Sequence, residues 1–91
     1  MTFTWDESKR KINLKKHGMD FIDAKDVFLG ATFTFEDDRF TYGEQRFITL
    51  GLLRDAAVVI AHTERNDEVR IISMRKATKY EQKIYFQGFT D

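Results

Sequence analysis

Apolar and polar positions change rhythm several times along this chain, and each change marks an element. Thr2 to Trp5 alternates in the manner of a short edge strand. At Asp6 the alternation stops. An Asp there can accept the unpaired N–H groups of a first helical turn, and Glu7 adds negative charge at the positive helix end. The helix runs to about His17, with Lys15, Lys16 and His17 in its last turn and Gly18 as the left-handed residue that ends it. Ile12 and Leu14 are its main hydrophobes, so it should lie on the surface. Asp20 caps a second helix from about Phe21 to Leu29, where Phe21, Ala24, Val27 and Phe28 share a face and Gly30 ends the run.

Period two follows. Thr32 to Glu36 is β-branched and aromatic and reads as a strand. Asp37, Asp38, Arg39 and the Tyr42-Gly43-Glu44 region form a loop. Arg46 to Leu53, Ala57 to about Arg65 and Val69 to Arg75 are further strands, with turns at Asp55 and Asn66-Asp67. Connections this short exclude parallel crossovers, so the three form an antiparallel meander. A helix from Ala77 to Tyr85 closes the chain, with Thr78 and Gln82 on one side and Tyr80 and Ile84 towards the sheet. The pattern predicts an α+β fold: two N-terminal helices packed on a twisted antiparallel sheet of about four strands, plus a C-terminal helix. With no Pro, repeat or low-complexity linker to divide it, residues 1–91 read as a single domain. Tyr85-Phe86-Gln87-Gly88 matches the core of a protease site used in expression tags, but Lys83 and Ile84 before it do not fit that site, and no function is assigned there.

A chain of 91 residues buries only about 60–65% of its unfolded surface, so nine Phe, three Tyr and one Trp must supply much of the core. The absence of Cys excludes disulfides and thiolate metal sites. The longest apolar run, Ala56 to Ala61, is far too short to span a bilayer, and MTFTWDESKRK lacks the apolar stretch of a signal peptide. A cytoplasmic setting without a membrane partner is expected.

Formal net charge is zero, but its distribution is uneven. Lys9, Arg10, Lys11, Lys15 and Lys16 form one basic patch. Arg70, Arg75, Lys76, Lys79 and Lys83 form another, opposed by Glu81. Asp20, Asp23, Asp26, Glu36, Asp37 and Asp38 form an acidic block between them. Such bipolarity suits two kinds of partner, while the zero total argues against tight non-specific nucleic-acid binding.

His17 and His62 stand far apart with no second His or Cys near either, and the acidic residues follow no EF-hand or HExxH order, so no metal site and no cofactor are expected. Ser73 has no G-x-S-x-G setting. RNA cleavage without a metal needs a base for the 2′-OH proton, cations for the crowded phosphorane and an acid for the leaving oxygen. His62 and Glu64 are the available bases, and Arg65, Arg75, Lys76 and Lys79 the available cations. Strict alternation places His62 and Glu64 on one face and Thr63 and Arg65 on the other. In the next strand it places Arg70, Ile72 and Met74 opposite Val69, Ile71, Ser73 and Arg75. Each residue also has a plainer reading. His62, after six apolar residues, suits the core; Glu64 and Arg65 suit cross-strand pairs; Lys15, Lys16 and His17 suit the helix dipole; Trp5 suits a plug under the first helix.

Trp5, Asp6, Arg10, Asn13, Lys16, His17 and Gly18 resemble the opening of the BrnT family of type II toxins. Gly43, Glu44 and Arg46 resemble its G-E-x-R segment. Thr63-Glu64-Arg65, then Arg70-Ile71-Ile72-Ser73-Met74-Arg75-Lys76-Ala77, Glu81 and Tyr85 resemble its ending, with Met74 where a small residue is usual. The resemblance implies a RelE/ParE-like fold and a ribonuclease toxin that arrests translation. It also implies a BrnA-like antitoxin partner that alone reads DNA, so that the toxin meets DNA only indirectly. On this resemblance Thr63, Arg65 and Arg75 lead the catalytic candidates, followed by His62, Glu64 and Lys76, with Lys79, Arg70 and Arg46 for RNA binding. The antitoxin is expected over one of the two basic patches. A non-catalytic interaction module and a ParE-like gyrase poison are the alternatives.

Overall fold

The computed structural model describes residues 1–39 and 43–89, so the expected loop through Tyr42 lies outside the described residues. The elements are β1 (Thr2–Trp5), α1 (Glu7–His17), a 3-10 turn (Phe21–Asp23), α2 (Ala24–Leu29), β2 (Phe33–Glu36), β3 (Phe47–Leu53), β4 (Ala56–Arg65), β5 (Glu68–Lys76) and α3 (Lys79–Gln87). Asp6 caps α1 by accepting from the Lys9 N–H, and Gly18 closes it at φ 70° with its N–H on the Leu14 carbonyl. Asp20 does cap the next element through the Ile22 N–H, but that first turn is 3-10 and the α-helix proper starts at Ala24.

The expected sheet needs correcting. It has five strands, not about four, in the order β1-β5-β4-β3-β2, and it is mixed. The β3–β4–β5 meander is antiparallel as expected, with β2 antiparallel on β3. β1, however, lies parallel to β5, Thr2 opposite Glu68 and Trp5 opposite Ile71. Nearly the whole chain connects these two strands, so a short loop does not force them antiparallel.

A second correction concerns parity. Ala61 pairs with Ser73 but His62 with Ile71, so Ile72 is an extra residue, a β-bulge in β5. Beyond it the faces exchange. Met74 joins Val69 and Ile71 in the inner core, and Arg70, Ser73 and Arg75 come to share the opposite face. Alternation without the bulge puts Arg70 and Arg75 on opposite sides.

α1 and α2 cover the inner face, where Met19, Phe21, Ala24 and Val27 pack on Leu53, Val58, Ile60, Val69, Ile71 and Met74. Trp5 lies partly buried against this core, 6.5 Å from the Phe21 ring centroid, with its indole N–H on Glu7. Gly51 lets α2 approach: a Cβ there would stand 2.6 Å from Val27 Cγ1. α1 is not held by its hydrophobes, since Ile12 and Leu14 are exposed. It is held by buried Asn13. β1 stops opposite Ile71, and past that point the Asn13 carboxamide takes over the edge of β5. Its Nδ2 donates to the Met74 carbonyl (2.9 Å) and the Met19 carbonyl (3.0 Å), and its Oδ1 accepts the Met74 N–H (3.2 Å). An amide side chain carries the donor and acceptor of a peptide group, so it can stand in for a strand.

Ala77 and, from α3, Ile84 and Tyr85 cover part of the outer face by packing on Leu50 and Val59. Thr78 is its N-cap, in a reciprocal box with Glu81. Tyr80, expected towards the sheet, is instead 73% exposed; Tyr85 is the buried anchor, its hydroxyl donating to the Ala31 carbonyl at 2.8 Å. No helix among the described residues is long and apolar enough to cross a membrane.

Candidate functional site

The part of the outer face that α3 leaves open carries the polar ends of β4 and β5. Asn66 and Asp67, both with positive φ (52° and 66°), form the two-residue turn that pairs Arg65 with Glu68 and Thr63 with Arg70. A cleft of about 330 Å³ opens there, lined by Thr63, Glu64, Arg65, Glu68, Arg70, Glu44 and Gln45. Two arginines, a threonine and three glutamates line it, although the Glu64 carboxylate lies 3.7 Å from His62 Nδ1, towards the inner face. Arg46 precedes β3 on the same face by alternation with Ile48 and Leu50, and its carbonyl accepts the Asp37 N–H at 2.8 Å.

Arg75 lies further along this face, opposite Val59, in a second cleft of about 240 Å³ that also includes Phe35, Glu36 and Ile48. It is already engaged. Its two terminal nitrogens donate to the two Glu81 oxygens at 2.7 and 2.9 Å, and one also reaches the Lys76 carbonyl. Glu81 accepts the Thr78 N–H at 2.8 Å as well. The fork from Arg75 and the capping N–H hold the Glu81 carboxyl down at about 2, and the same fork raises Arg75. The arginine is thus locked to the start of α3. Lys76 and Lys79 are exposed and line neither cleft.

His62 is withdrawn from this surface. It is fully buried on the inner face, between the Phe47 ring, stacked at 5.9 Å, and the Phe28 ring, edge-on at 5.2 Å. Its Nε2 bonds Thr49 Oγ at 2.7 Å, and that hydroxyl bonds Thr34. The nearest carboxylate to Nδ1 is Glu64, at 3.7 Å. Burial pushes its pKa down to about 4, so the ring is neutral at pH 7 and out of a substrate's reach. The structural reading of His62 fits this geometry, through a threonine hydroxyl.

Of the candidates read from the sequence, Thr63, Glu64, Arg65 and Arg70 line one cleft, Arg75 lines the other, His62 is buried and Lys76 and Lys79 line neither, while Glu68 and Gln45 join the first cleft without having been singled out. The Asn66-Asp67 turn is the signal for Glu68, because a two-residue hairpin loop pairs the residues that flank it. Among the described residues no group of three His, Cys, Asp or Glu is placed to hold a metal ion. Chemically, the first cleft can grip a phosphodiester through its arginines and take up a proton on a carboxylate.

Comparison with known families gives one match over residues 5–81, to the family described as ribonuclease toxin, BrnT, of type II toxin–antitoxin system. No curated protein matches the chain.

Proposed function

The chain belongs to the BrnT family of ribonuclease toxins, and from that premise we propose that it is an endoribonuclease working in the Thr63–Arg70 cleft. The observation that carries this reading is that Thr63, Glu64, Arg65 and Arg70 line one opening, with Thr63 directly opposite Arg70. Arg65 and Arg70 hold the scissile phosphate and take the charge that builds on it. Glu64 accepts the 2′-OH proton, and Thr63 orients the attacking sugar by hydrogen bonding. Attack of the 2′-oxygen on phosphorus expels the 5′-oxygen, which takes up a proton from water to leave as a 5′-hydroxyl, and a 2′,3′-cyclic phosphate remains. No metal ion takes part. Arg75, tied to Glu81, shapes the neighbouring cleft and serves the reaction less directly than its position in the motif suggests.

In the cell this cutting arrests translation, and a BrnA-like antitoxin neutralises it. DNA is met only through that antitoxin, in the cytoplasm, and the fold is of the RelE/ParE type. The test is purified chain with RNA in excess EDTA, beside Arg65→Ala. Cyclic-phosphate ends from the unaltered chain, and a loss of about 10²–10³-fold in the variant, are expected. RNA left intact by a folded chain, or full activity in Arg65→Ala, refutes the reading. The inert interaction module has one observation in its favour, the burial of the imidazole nearest the cleft. Growth arrest with intact RNA would instead point to gyrase.

A further inference from the structure

The remaining conspicuous surface is aromatic and lies at the β2 end of the sheet. Phe33 and Phe35 project from the outer face of β2 with ring centroids 6.0 Å apart, 41% and 44% exposed. Phe86, in the last turn of α3, and Phe89, just beyond it, are about half exposed, each with its ring against Tyr85. The junction is close: a methyl group at Gly88, between them, would touch the Phe33 ring at 3.6 Å. Four phenylalanines exposed on these two neighbouring elements are unusual in a small monomer and are what the core of a protein interface contains.

β2 is also the last strand of the sheet, and all four of its residues are exposed. The Asp37 N–H points inward, to Arg46 on the β3 side. Antiparallel alternation then turns the N–H groups of Phe35 and Phe33 to β3 as well, and leaves those of Thr34 and Glu36 facing outward. Such an edge is a template for another strand. Charge selects the partner. Glu36 and Asp38 are exposed at the end of this strand and make no ion pair among the described residues. A phosphate backbone is repelled there and a basic side chain attracted.

We propose that an extended segment of the antitoxin adds to β2 as a sixth strand. Its alternate apolar side chains cover Phe33, Phe35, Phe86 and Phe89, and a Lys or Arg meets Glu36 and Asp38. This places the antitoxin away from the basic patch on α1, along the rim of the Arg75 cleft at the border of the second patch. The inference rests on membership of a toxin–antitoxin family and not on the ribonuclease chemistry.

Amide hydrogen exchange on the full chain, free and bound to its cognate antitoxin, tests it. The Thr34 and Glu36 amides should exchange rapidly in the free chain and about 100-fold more slowly in the complex, while Phe33 and Phe35, already bonded to β3, change little. The double variant Phe33→Ser, Phe89→Ser should weaken antitoxin binding about 100-fold and cleave RNA as the unaltered chain does. A complex in which Thr34 and Glu36 exchange at the free rate, or protection over α1 instead, overturns the proposal. So does unchanged binding of the folded double variant. A free chain that is dimeric with these amides already protected assigns the edge to a second copy and also overturns it. Absence of RNA cleavage by the unaltered chain counts against the ribonuclease reading alone, since exchange and binding are read independently of it.

Discussion

Replacing Asn13 by Ala should cost far more than its place on a surface helix suggests. The carboxamide makes three hydrogen bonds, to the Met74 N–H, the Met74 carbonyl and the Met19 carbonyl. Each is worth about 1 kcal/mol net, and deletion strands buried backbone groups that no other element reaches, so a loss of about 3–4 kcal/mol is expected. A domain of 91 residues has a total stability of roughly 5–14 kcal/mol. The midpoint of thermal unfolding should therefore fall by roughly 12–30 °C, taking about 4–8 °C per kcal/mol for a chain of this size. Circular dichroism melts and urea titrations of Asn13→Ala beside Ile12→Ala measure it. Ile12 is the more exposed of the two large apolar residues on the same helix, at 64%, and its truncation should stay within about 0.5 kcal/mol. A loss below about 1 kcal/mol in Asn13→Ala, or an equal loss in Ile12→Ala, would refute the view that a polar side chain fastens α1.

Gly51→Ala pushes a methyl group to 2.6 Å from Val27 Cγ1 and 3.2 Å from Thr32 Cγ2, and should destabilise by about 1–3 kcal/mol in a urea titration. His62 titrates near 4 when folded and near 6.5 when unfolded, so the unfolded chain binds more protons between those values. Stability is then fully present above 6.5 and drains away as pH falls towards 4, with a slope of up to about 1.4 kcal/mol per pH unit. His62→Gln should flatten that slope between pH 5 and 6.5, before the Glu81 carboxyl begins to contribute in the same direction. Arg70→Ala should lower RNA cleavage about 10²–10³-fold with an unchanged melting temperature, because the side chain is exposed. Arg75→Ala should lower it less than about tenfold if Glu81 holds that arginine, and a loss matching Arg70→Ala would return Arg75 to the centre of the reaction.

What the residues revealed beforehand was mostly local. Asp6, Gly18, Asp20 and Gly30 mark helix ends because capping acts over three or four positions. The meander followed from loops too short for any other connection. Long-range choices were hidden. Nothing in Thr2–Trp5 says that it lies parallel beside β5. The carboxamide of Asn13 looked like one more polar residue on an exposed helix, since its partners lie sixty-one positions away. The site was half legible for the same reason. Thr63, Glu64, Arg65 and Arg70 meet through one hairpin turn, whereas the burial of His62 depends on Phe28, Phe47 and Thr49 from other elements.

The extra residue in β5 makes the outer face behave like text read in a frame. Arg70 and Arg75 stand an odd number of positions apart, and only a one-residue slip between them lets both be read on the same side. Their separation is therefore fixed by counting as much as by chemistry. Deleting any single residue from Ile71 to Ser73 would leave every functional side chain present in the sequence. It would also remove the slip, leaving Arg70 and Arg75 four positions apart on one face of a regularly alternating strand, with Met74 still turned to the core. Removing two residues would leave the arginines three positions apart and on opposite sides unless the slip were kept, so in this segment a one-residue deletion should be tolerated better than a two-residue deletion.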